Sequence, residues 1–340
     1  MNFIPIIFLA FFFGCSDVLR FLGGIPQARE MEDMDSHSRK WEEMDNDVLV
    51  KIFQCFDIFG LTSGIDQVCS TWRSAACDPL IWKTLDLSML KSNFINTSVI
   101  PYVYVDDPSD KTLTRILKIA LSLSHGSITT LIFNYNLYVS DDQLTYTAER
   151  CPRLKRLVMP AWNRIEKTGI CKAICMWEDL ESLTMPSISN PLFLIEEIAK
   201  NCKKFTELKI MGPCHIYFAW TLAKFLPNLK ILSIRCSEIF KDALNIILDG
   251  LTGLEVLNIS HCVLIEQPPP SPRRVLKELD ESILEKAKKA KKERRLHKFI
   301  TCMSDSCIMC ERTRKDGGLI RWYKYEADFW KVDEVKSLAI

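Results

Sequence analysis

A short apolar phrase, Leu-x-x-Leu-x-Ile or a close variant, recurs through the middle of the chain. Six copies begin at residues 128, 154, 180, 205, 229 and 254, so the steps between them are 26, 26, 25, 24 and 25 residues. An earlier copy spans residues 82–87. A constant period of this length is typical of repeat proteins, in which each unit buries its apolar edge only against its neighbours. The pattern therefore predicts a solenoid.

The segments between these phrases predict returning helices. Residues 141–150 and 194–200 have helical spacing and polar outer positions. One strand and one helix per repeat give an α/β solenoid, with a parallel sheet inside the curve and helices outside. The gap between residues 82 and 128 is 46 residues. We predict a helix at 111–124 in it and an inserted loop at about 89–110.

Side chains alternate along a strand, so the fourth and sixth residues of each phrase should face the core. The third, fifth and seventh should then line the concave side. We predict that a protein partner contacts this face and one adjoining loop, because the face mixes small, apolar and charged groups. The alternative is an inner sheet without a partner. The predicted contact residues are Arg156, Val158, Trp162, Arg164, Glu207, Lys209, Met211, Ile231, Arg235, Val256 and Asn258.

Two apolar stripes with helical spacing precede the repeats, separated by a break at Gly60. They predict two helices, the second of which ends near the Asp78-Pro79 turn. A helical module of this size is marginally stable alone. The stripes are formed by Val48, Leu49, Ile52, Phe53 and Phe56, and then by Leu61, Ile65, Val68, Cys69 and Trp72.

The segments Val68-Cys69-Ser70-Thr71-Trp72-Arg73 and Asp78-Pro79-Leu80-Ile81-Trp82, followed by a Leu-Asp-Leu-Ser strand, resemble an F-box. The chain as a whole resembles plant F-box/leucine-rich-repeat (LRR) proteins. The resemblance implies an F-box that docks on a Skp-type adaptor of a cullin-RING (SCF-type) ubiquitin ligase. It also implies repeats that bind a protein substrate for ubiquitination, so that the chain is a non-catalytic substrate receptor.

Seven apolar residues of the F-box segment are candidates either for adaptor contact or for the core of the module. F-boxes commonly begin their first helix with Leu-Pro, whereas this chain has Met44-Asp45. Methionine can fill a leucine pocket, but the loss of proline removes a rigid contact, so we expect a reduced affinity for the adaptor. The candidates are Met44, Leu49, Ile52, Phe53, Val68, Trp72 and Trp82.

The ends of the chain have their own patterns. Residues 3–13 form an apolar run as long as a signal-peptide core, which is either an upstream extension irrelevant to the working protein or a targeting segment. The basic run at 286–295 is a solvated helix face, a nuclear import address or a phosphate-binding patch. The predicted domains are a hydrophobic N-terminal extension (1–30), the F-box (31–88), the repeats (82–265), a Pro-rich linker (266–272) and a basic helical tail (273–340).

Composition narrows the function further. A net charge of +1 gives no overall preference for nucleic acid or membrane, and 14 cysteines among 340 residues are too few for a disulfide scaffold. We therefore expect a reducing compartment, the nucleus or the cytoplasm. The sequence shows no phosphate-binding glycine loop, His-Glu-x-x-His or Gly-x-Ser-x-Gly motif, so we predict no catalytic residues and no cofactor.

The C-terminal cysteines leave a choice between two interpretations. Cys302, Cys307 and Cys310, with His297 upstream, can supply four zinc ligands. No second Cys-x-x-Cys pair is present, however, so packed or free thiols are the preferred interpretation and no metal site is predicted.

Two other functions remain open at this stage. One is an LRR scaffold whose helical segment only caps the open end of the solenoid. The other is a secreted or membrane-tethered recognition protein that uses residues 1–30 as its signal.

Overall fold

The computed structural model of the chain forms two compact units. The first comprises Met1–Leu85 and Thr114–Ile128, and the second comprises Asp86–Leu113 and Thr129–Ile340. The structure describes residues 44–96, 103–134, 136–160, 162–186, 191–266, 272, 274–276, 278–293 and 295–315. The N-terminal extension, most of the Pro-rich linker and the last 25 residues, 316–340, lie outside the described residues.

The first unit is helical, as the two apolar stripes predict. Phe53 and Trp72 are buried and pack edge to face with ring centroids 5.3 Å apart. Trp82 is also buried, and its indole N–H donates to the carbonyl of Ala76 at 2.6 Å. The elements are α1 (Asn46–Phe53), α2 (Ile58–Leu61), a 3-10 turn (Ile65–Gln67), α3 (Ser70–Ala76) and α4 (Pro79–Trp82).

Strands and helices alternate through the rest of the chain. The strands are β1 (Thr84–Leu87), β2 (Phe94–Asn96), β3 (Val103–Val105), β4 (Thr130–Phe133), β5 (Tyr138–Ser140), β6 (Arg156–Val158), β7 (Trp162–Arg164), β8 (Ser182–Pro186), β9 (Glu207–Met211), β10 (Ile231–Ser233), β11 (Glu238–Phe240), β12 (Val256–Ser260), β13 (Val263–Glu266), β14 (Arg274–Leu276) and β15 (Lys298–Cys302). The helices are α5 (Asp107–Leu123), α6 (Asp141–Arg150), α7 (Lys167–Met176), α8 (Pro191–Asn201), α9 (Ile216–Phe225), α10 (Lys241–Gly250), α11 (Glu281–Lys292) and α12 (Ile308–Lys315).

Within the described residues, the main sheet has eight strands in the order β1-β4-β6-β8-β9-β10-β12-β15. From β4 onward every neighbouring pair is parallel. The fourth residues of the repeated phrase pair in register across six strands and are fully buried, which explains why the phrase recurs. These residues are Leu131, Leu157, Leu183, Leu208, Leu232 and Leu257. The predicted fold class, helical F-box followed by an LRR solenoid, is confirmed.

The expected inserted loop contains an antiparallel hairpin of β2 and β3, and α5 begins at Asp107. Asn93 fixes this segment within the second unit. Its side chain donates to Asp110 at 2.8 Å and exchanges two hydrogen bonds with the backbone of Tyr138.

The segment after the linker is not a separate helical tail. β14 pairs antiparallel with β13, and β15 pairs parallel with β12 as the last described strand of the main sheet. Between these strands, α11 buries Ile283, Ala287 and Ala290. The alternation of apolar and basic positions therefore makes an amphipathic helix of a further repeat.

Candidate functional site

The F-box candidates divide into buried and accessible side chains. Leu49, Phe53, Trp72 and Trp82 are at most 4% exposed and form the core of the module. Their side chains stabilise the helices and are not available to a partner.

Met44 and Ile52 are half-buried, whereas Val68 is 37% exposed. Sequence reasoning missed two further exposed apolar residues of the same unit, Phe59 and Leu80, the second of which is 67% exposed. Both lie off the buried helical stripes, and that position was the available signal. Exposed apolar side chains of this size are suited to a protein partner.

The start of α1 departs from a proline-initiated helix. Asp45 is the N-cap residue, but its side chain makes no capping hydrogen bond. Asp57 and Asp78, by contrast, cap α2 and α4 by accepting from the backbone N–H groups of Gly60 and Leu80, each at 2.8 Å. The first helix therefore begins without the side-chain cap that the other two have.

The predicted inner-face residues fall into two cross-strand rows. In one row Arg156, Glu207, Ile231 and Val256 are half-buried, with Ser182 buried among them. Half-burial leaves these four side chains partly accessible.

In the other row Val158 and Lys209 are buried, whereas Asn258 is half-buried. Val158 and Lys209 are therefore not exposed to a partner. Their burial follows from close packing: parallel strands lie about 4.8 Å apart, so neighbouring side chains cover short or central ones.

Arg235, which follows β10, is half-buried. The side chains of Trp162, Arg164 and Met211 lie outside the described part of the chain, although their backbones belong to β7 and β9.

Ion pairs connect successive repeats at exposed positions. Lys155 pairs with Glu181 at 2.8 Å and Lys204 with Asp179 at 2.6 Å. The hydrogen bond from Lys204 lowers the pKa of the Asp179 carboxyl. Exposed pairs of this kind contribute little to stability, because water screens the attraction.

Three C-terminal cysteines lie close to a histidine, but this residue is His261 and not His297, which the sequence suggests. His261, Cys302, Cys307 and Cys310 each direct one ligand atom into a common space, and all four atoms lie within 4.8 Å of one another. His297 is exposed and precedes β15.

The 13 cysteines of the described residues are free thiols. Within the described residues, no helix is long and apolar enough to cross a bilayer.

Comparison with known proteins agrees with the helical module and the repeats. The F-box-like family model matches residues 46–88. The Arabidopsis thaliana F-box/LRR-repeat protein At3g48880 is 60% identical over 303 residues, which cover 88% of this chain and 96% of the relative. The chain belongs to the F-box/LRR-repeat family. The expected resemblance to plant F-box/LRR proteins is confirmed.

Two more distant Arabidopsis relatives extend the same comparison. F-box protein At4g11580 is 26% identical over 91% of this chain and 99% of the relative. F-box protein SKIP19 is 23% identical over 66% of this chain and 70% of the relative. F-box/LRR proteins are typically non-catalytic adaptors of ubiquitin ligases.

Proposed function

We propose that this chain is the substrate-recognition subunit of an SCF-type cullin-RING ubiquitin ligase. The observation that carries the proposal is the combination, in one F-box/LRR-repeat chain, of an F-box at residues 46–88 and a parallel repeat sheet. The F-box binds a Skp-type adaptor and through it the cullin scaffold, whereas the repeats bind a protein substrate.

The adaptor-binding surface is built from the accessible apolar residues of the F-box, not from its core. Met44 and Ile52 are half-buried, and Phe59, Val68 and Leu80 are exposed. Burying such side chains against a partner stabilises a complex by about 25 cal/mol per Å² of apolar surface before the cost of association is subtracted.

The substrate-binding surface includes the half-buried inner-face residues. Arg156, Glu207 and Arg235 supply charges of both signs, whereas Ile231 and Val256 supply apolar contact area. This mixture suits a folded or extended polypeptide better than a polyanion. Trp162, Arg164 and Met211 belong to the same proposed surface, which involves neither nucleic acid nor a membrane.

The role of the chain in ubiquitin transfer is to hold the substrate close to the conjugating enzyme. When a substrate lysine is held near a ubiquitin-charged conjugating enzyme, its transfer becomes effectively intramolecular. The receptor needs no catalytic group or cofactor of its own for this role.

We place the protein in the nucleus or the cytoplasm, where thiols stay reduced. Burial raises the pKa of Cys151, Cys202 and Cys214 to about 12, which keeps these thiols protonated and unreactive. They act as small apolar core residues.

Co-purification with a recombinant Skp-type adaptor tests the proposal. The intact chain should bind, and the double variant Val68→Asp/Leu80→Asp should lose at least tenfold in affinity, because two exposed apolar contacts become charged. Val275→Asp is the matched control, since Val275 is 50% exposed but lies in β14, outside the F-box. Circular dichroism checks that all three chains fold.

Two outcomes contradict different parts of the proposal. If the folded intact chain does not bind the adaptor, the ligase function is wrong. If the double variant binds as tightly as the intact chain, the docking surface is wrong but the function stands.

A further inference from the structure

Three of the separations among the ligand atoms of His261, Cys302, Cys307 and Cys310 match those of a tetrahedral metal site. The sulfur atoms of Cys302 and Cys310 are 3.7 Å apart, and His261 Nδ1 lies 3.4 Å from Cys310 Sγ and 3.5 Å from Cys307 Sγ. A tetrahedral zinc ion with bonds of about 2.3 Å to sulfur and about 2.0 Å to nitrogen separates its ligands by about 3.8 Å (sulfur to sulfur) and about 3.5 Å (nitrogen to sulfur). A disulfide requires a sulfur separation of about 2.05 Å.

Strand pairing brings the histidine to the cysteines. Ser260 at the end of β12 pairs in register with Cys302 at the end of β15, and the next N–H, that of His261, donates to the carbonyl of Cys302 at 2.8 Å. His261 has a positive φ of 59°, which turns the chain sharply after the strand.

The same sharp turn occurs in the two preceding repeats, so it does not depend on the histidine. Gly212 and Cys236 occupy the equivalent positions of the two preceding repeats, and both also have positive φ values. Gly212 lies 24 residues before Cys236, and Cys236 lies 25 residues before His261. The N–H of Cys236 donates to the carbonyl of Ser260 at 2.8 Å, as that of His261 does to Cys302. The fold therefore supplies the backbone position, and only the side chain had to become a ligand.

The other two ligands come from a Cys-x-x-Cys segment at the start of α12. Cys307 lies directly before this helix, and Cys310 lies in its first turn. Cys310 is buried, whereas the other three ligands are half-buried, so that solvent access to the group is limited.

We propose that His261, Cys302, Cys307 and Cys310 bind one Zn²⁺ ion at the C-terminal end of the solenoid. Three thiolates and one imidazole are a ligand set that suits zinc, and four protein ligands leave no open position for catalysis. The ion is therefore structural. It joins the end of β15 and the helix α12 to the turn after β12, and so holds together the end of the described part of the repeat array.

Metal analysis of the full-length chain, purified without a metal-affinity tag and kept reduced, tests this assignment. We expect about one zinc ion per chain. Replacing zinc by Co²⁺ should give the visible absorption of a tetrahedral site together with thiolate charge-transfer bands. A zinc-free chain whose four ligands are intact and reduced, and which binds added Zn²⁺ no more tightly than about 1 µM, would overturn the proposal.

Three variants identify the histidine ligand. His261→Ala should lose at least tenfold in zinc affinity, whereas His297→Ala should retain it, since His297 is exposed at the opposite end of β15. His261→Cys should recover binding, because it gives a four-thiolate set and cysteine already occupies the equivalent turn position at Cys236. Loss of zinc in the His297 variant with retention in His261→Ala would show the assignment to be wrong.

A thermal measurement separates metal loss from general damage. A strong chelator should lower the Tm of the intact chain but leave that of His261→Ala unchanged, because the variant has little metal to lose. Adaptor binding, which rests on the F-box, should be the same in both chains. An equal chelator-induced shift in the two chains contradicts the site.

Discussion

Arg156 and Glu207 lie two strands apart in one cross-strand row of the main sheet, with Ser182 between them, and Arg156 Nη2 is 4.0 Å from Glu207 Oε2. Strands lie about 4.8 Å apart, so only long side chains can reach across an intervening strand. Ser182 is buried in this row. At this point of the inner face, two long charged side chains therefore reach across a short one.

We expect this ion pair to contribute little to stability. Both side chains retain solvent exposure, 30% for Arg156 and 19% for Glu207, and the contact is long. A double-mutant cycle with Arg156→Ala and Glu207→Ala, followed by urea unfolding, should give a coupling below about 1 kcal/mol. A coupling of several kcal/mol would mean that the pair is a structural element and not an adaptable part of a binding face.

The buried leucine row should behave in the opposite way. Leu183→Ala removes a fully buried side chain between Leu157 and Leu208, so it should lower the free energy of unfolding by about 2–5 kcal/mol. Val275→Ala, at a half-exposed position of β14, should cost about 0.5 kcal/mol or less. Urea unfolding monitored by circular dichroism measures both. Equal effects would contradict the role of the leucine row as the core.

The sequence was sufficient to predict the repeat sheet because the repeated apolar phrase is a local and periodic signal. Leu157 and Leu183 are separated by one period and pair directly. The F-box motif likewise lies within one continuous segment. What the sequence did not give was exposure: Phe53 and Val68 are both apolar members of helical stripes, yet the first is buried and the second exposed. Packing against neighbouring helices decides between them.

The histidine beside the C-terminal cysteines is His261 and not His297, for a geometric reason. His297 is closer in sequence to Cys302 than His261 is, but five residues of extended strand separate it from Cys302 by roughly 16 Å. His261, 41 residues away, becomes adjacent because β12 and β15 pair in parallel. That pairing depends on a further repeat in a segment that composition had suggested was a basic tail.

The close contact between α9 and α10 leaves no room for a side chain at Gly250. A Cβ on Gly250 would lie 2.6 Å from Cβ of Ala223. Alanine favours a helix by about 1 kcal/mol over glycine, but overpacking costs about 1–3 kcal/mol. We therefore expect Gly250→Ala to destabilise the protein in urea unfolding.

A compensating variant tests the cause. Ala223→Gly removes the opposing methyl group, so the double variant Gly250→Ala/Ala223→Gly should be more stable than the sum of the two single effects predicts. Simple additivity would mean that the clash is not the reason.

Trp82 should be sensitive even to a conservative change. Its indole N–H donates to the carbonyl of Ala76 inside the F-box core. Trp82→Phe removes the donor and leaves that carbonyl unsatisfied, which should cost about 1–3 kcal/mol. Trp220→Phe is the matched control, because Trp220 is 46% exposed on α9. Unfolding that is unchanged by Trp82→Phe would contradict the proposed importance of this hydrogen bond.

Asp280 connects the last repeat to the preceding one and should make stability depend on pH. Its carboxylate accepts from Lys241 Nζ at 2.7 Å, and Lys241 also pairs with Glu266 at 2.8 Å. Asp280 caps α11 as well, by accepting from the N–H of Ser282 at 2.8 Å. The hydrogen bond from Lys241, followed by those from Ser282, holds the pKa of Asp280 well below its ordinary value.

A carboxyl whose pKa is lower in the folded state than in the unfolded state stabilises the fold when it is ionised. This contribution is complete above the unfolded pKa of about 3.9 and is lost as the pH falls through the folded value. Asp280→Asn should therefore be less stable than the intact chain at pH 7, and the difference should shrink below about pH 4. Thermal unfolding across this pH range measures the difference.

Glu281→Gln removes a carboxylate from the same helical turn and is the control. A stability difference between Asp280→Asn and the intact chain that stays constant from pH 7 to pH 3 would show that the ion pair with Lys241 is not its cause.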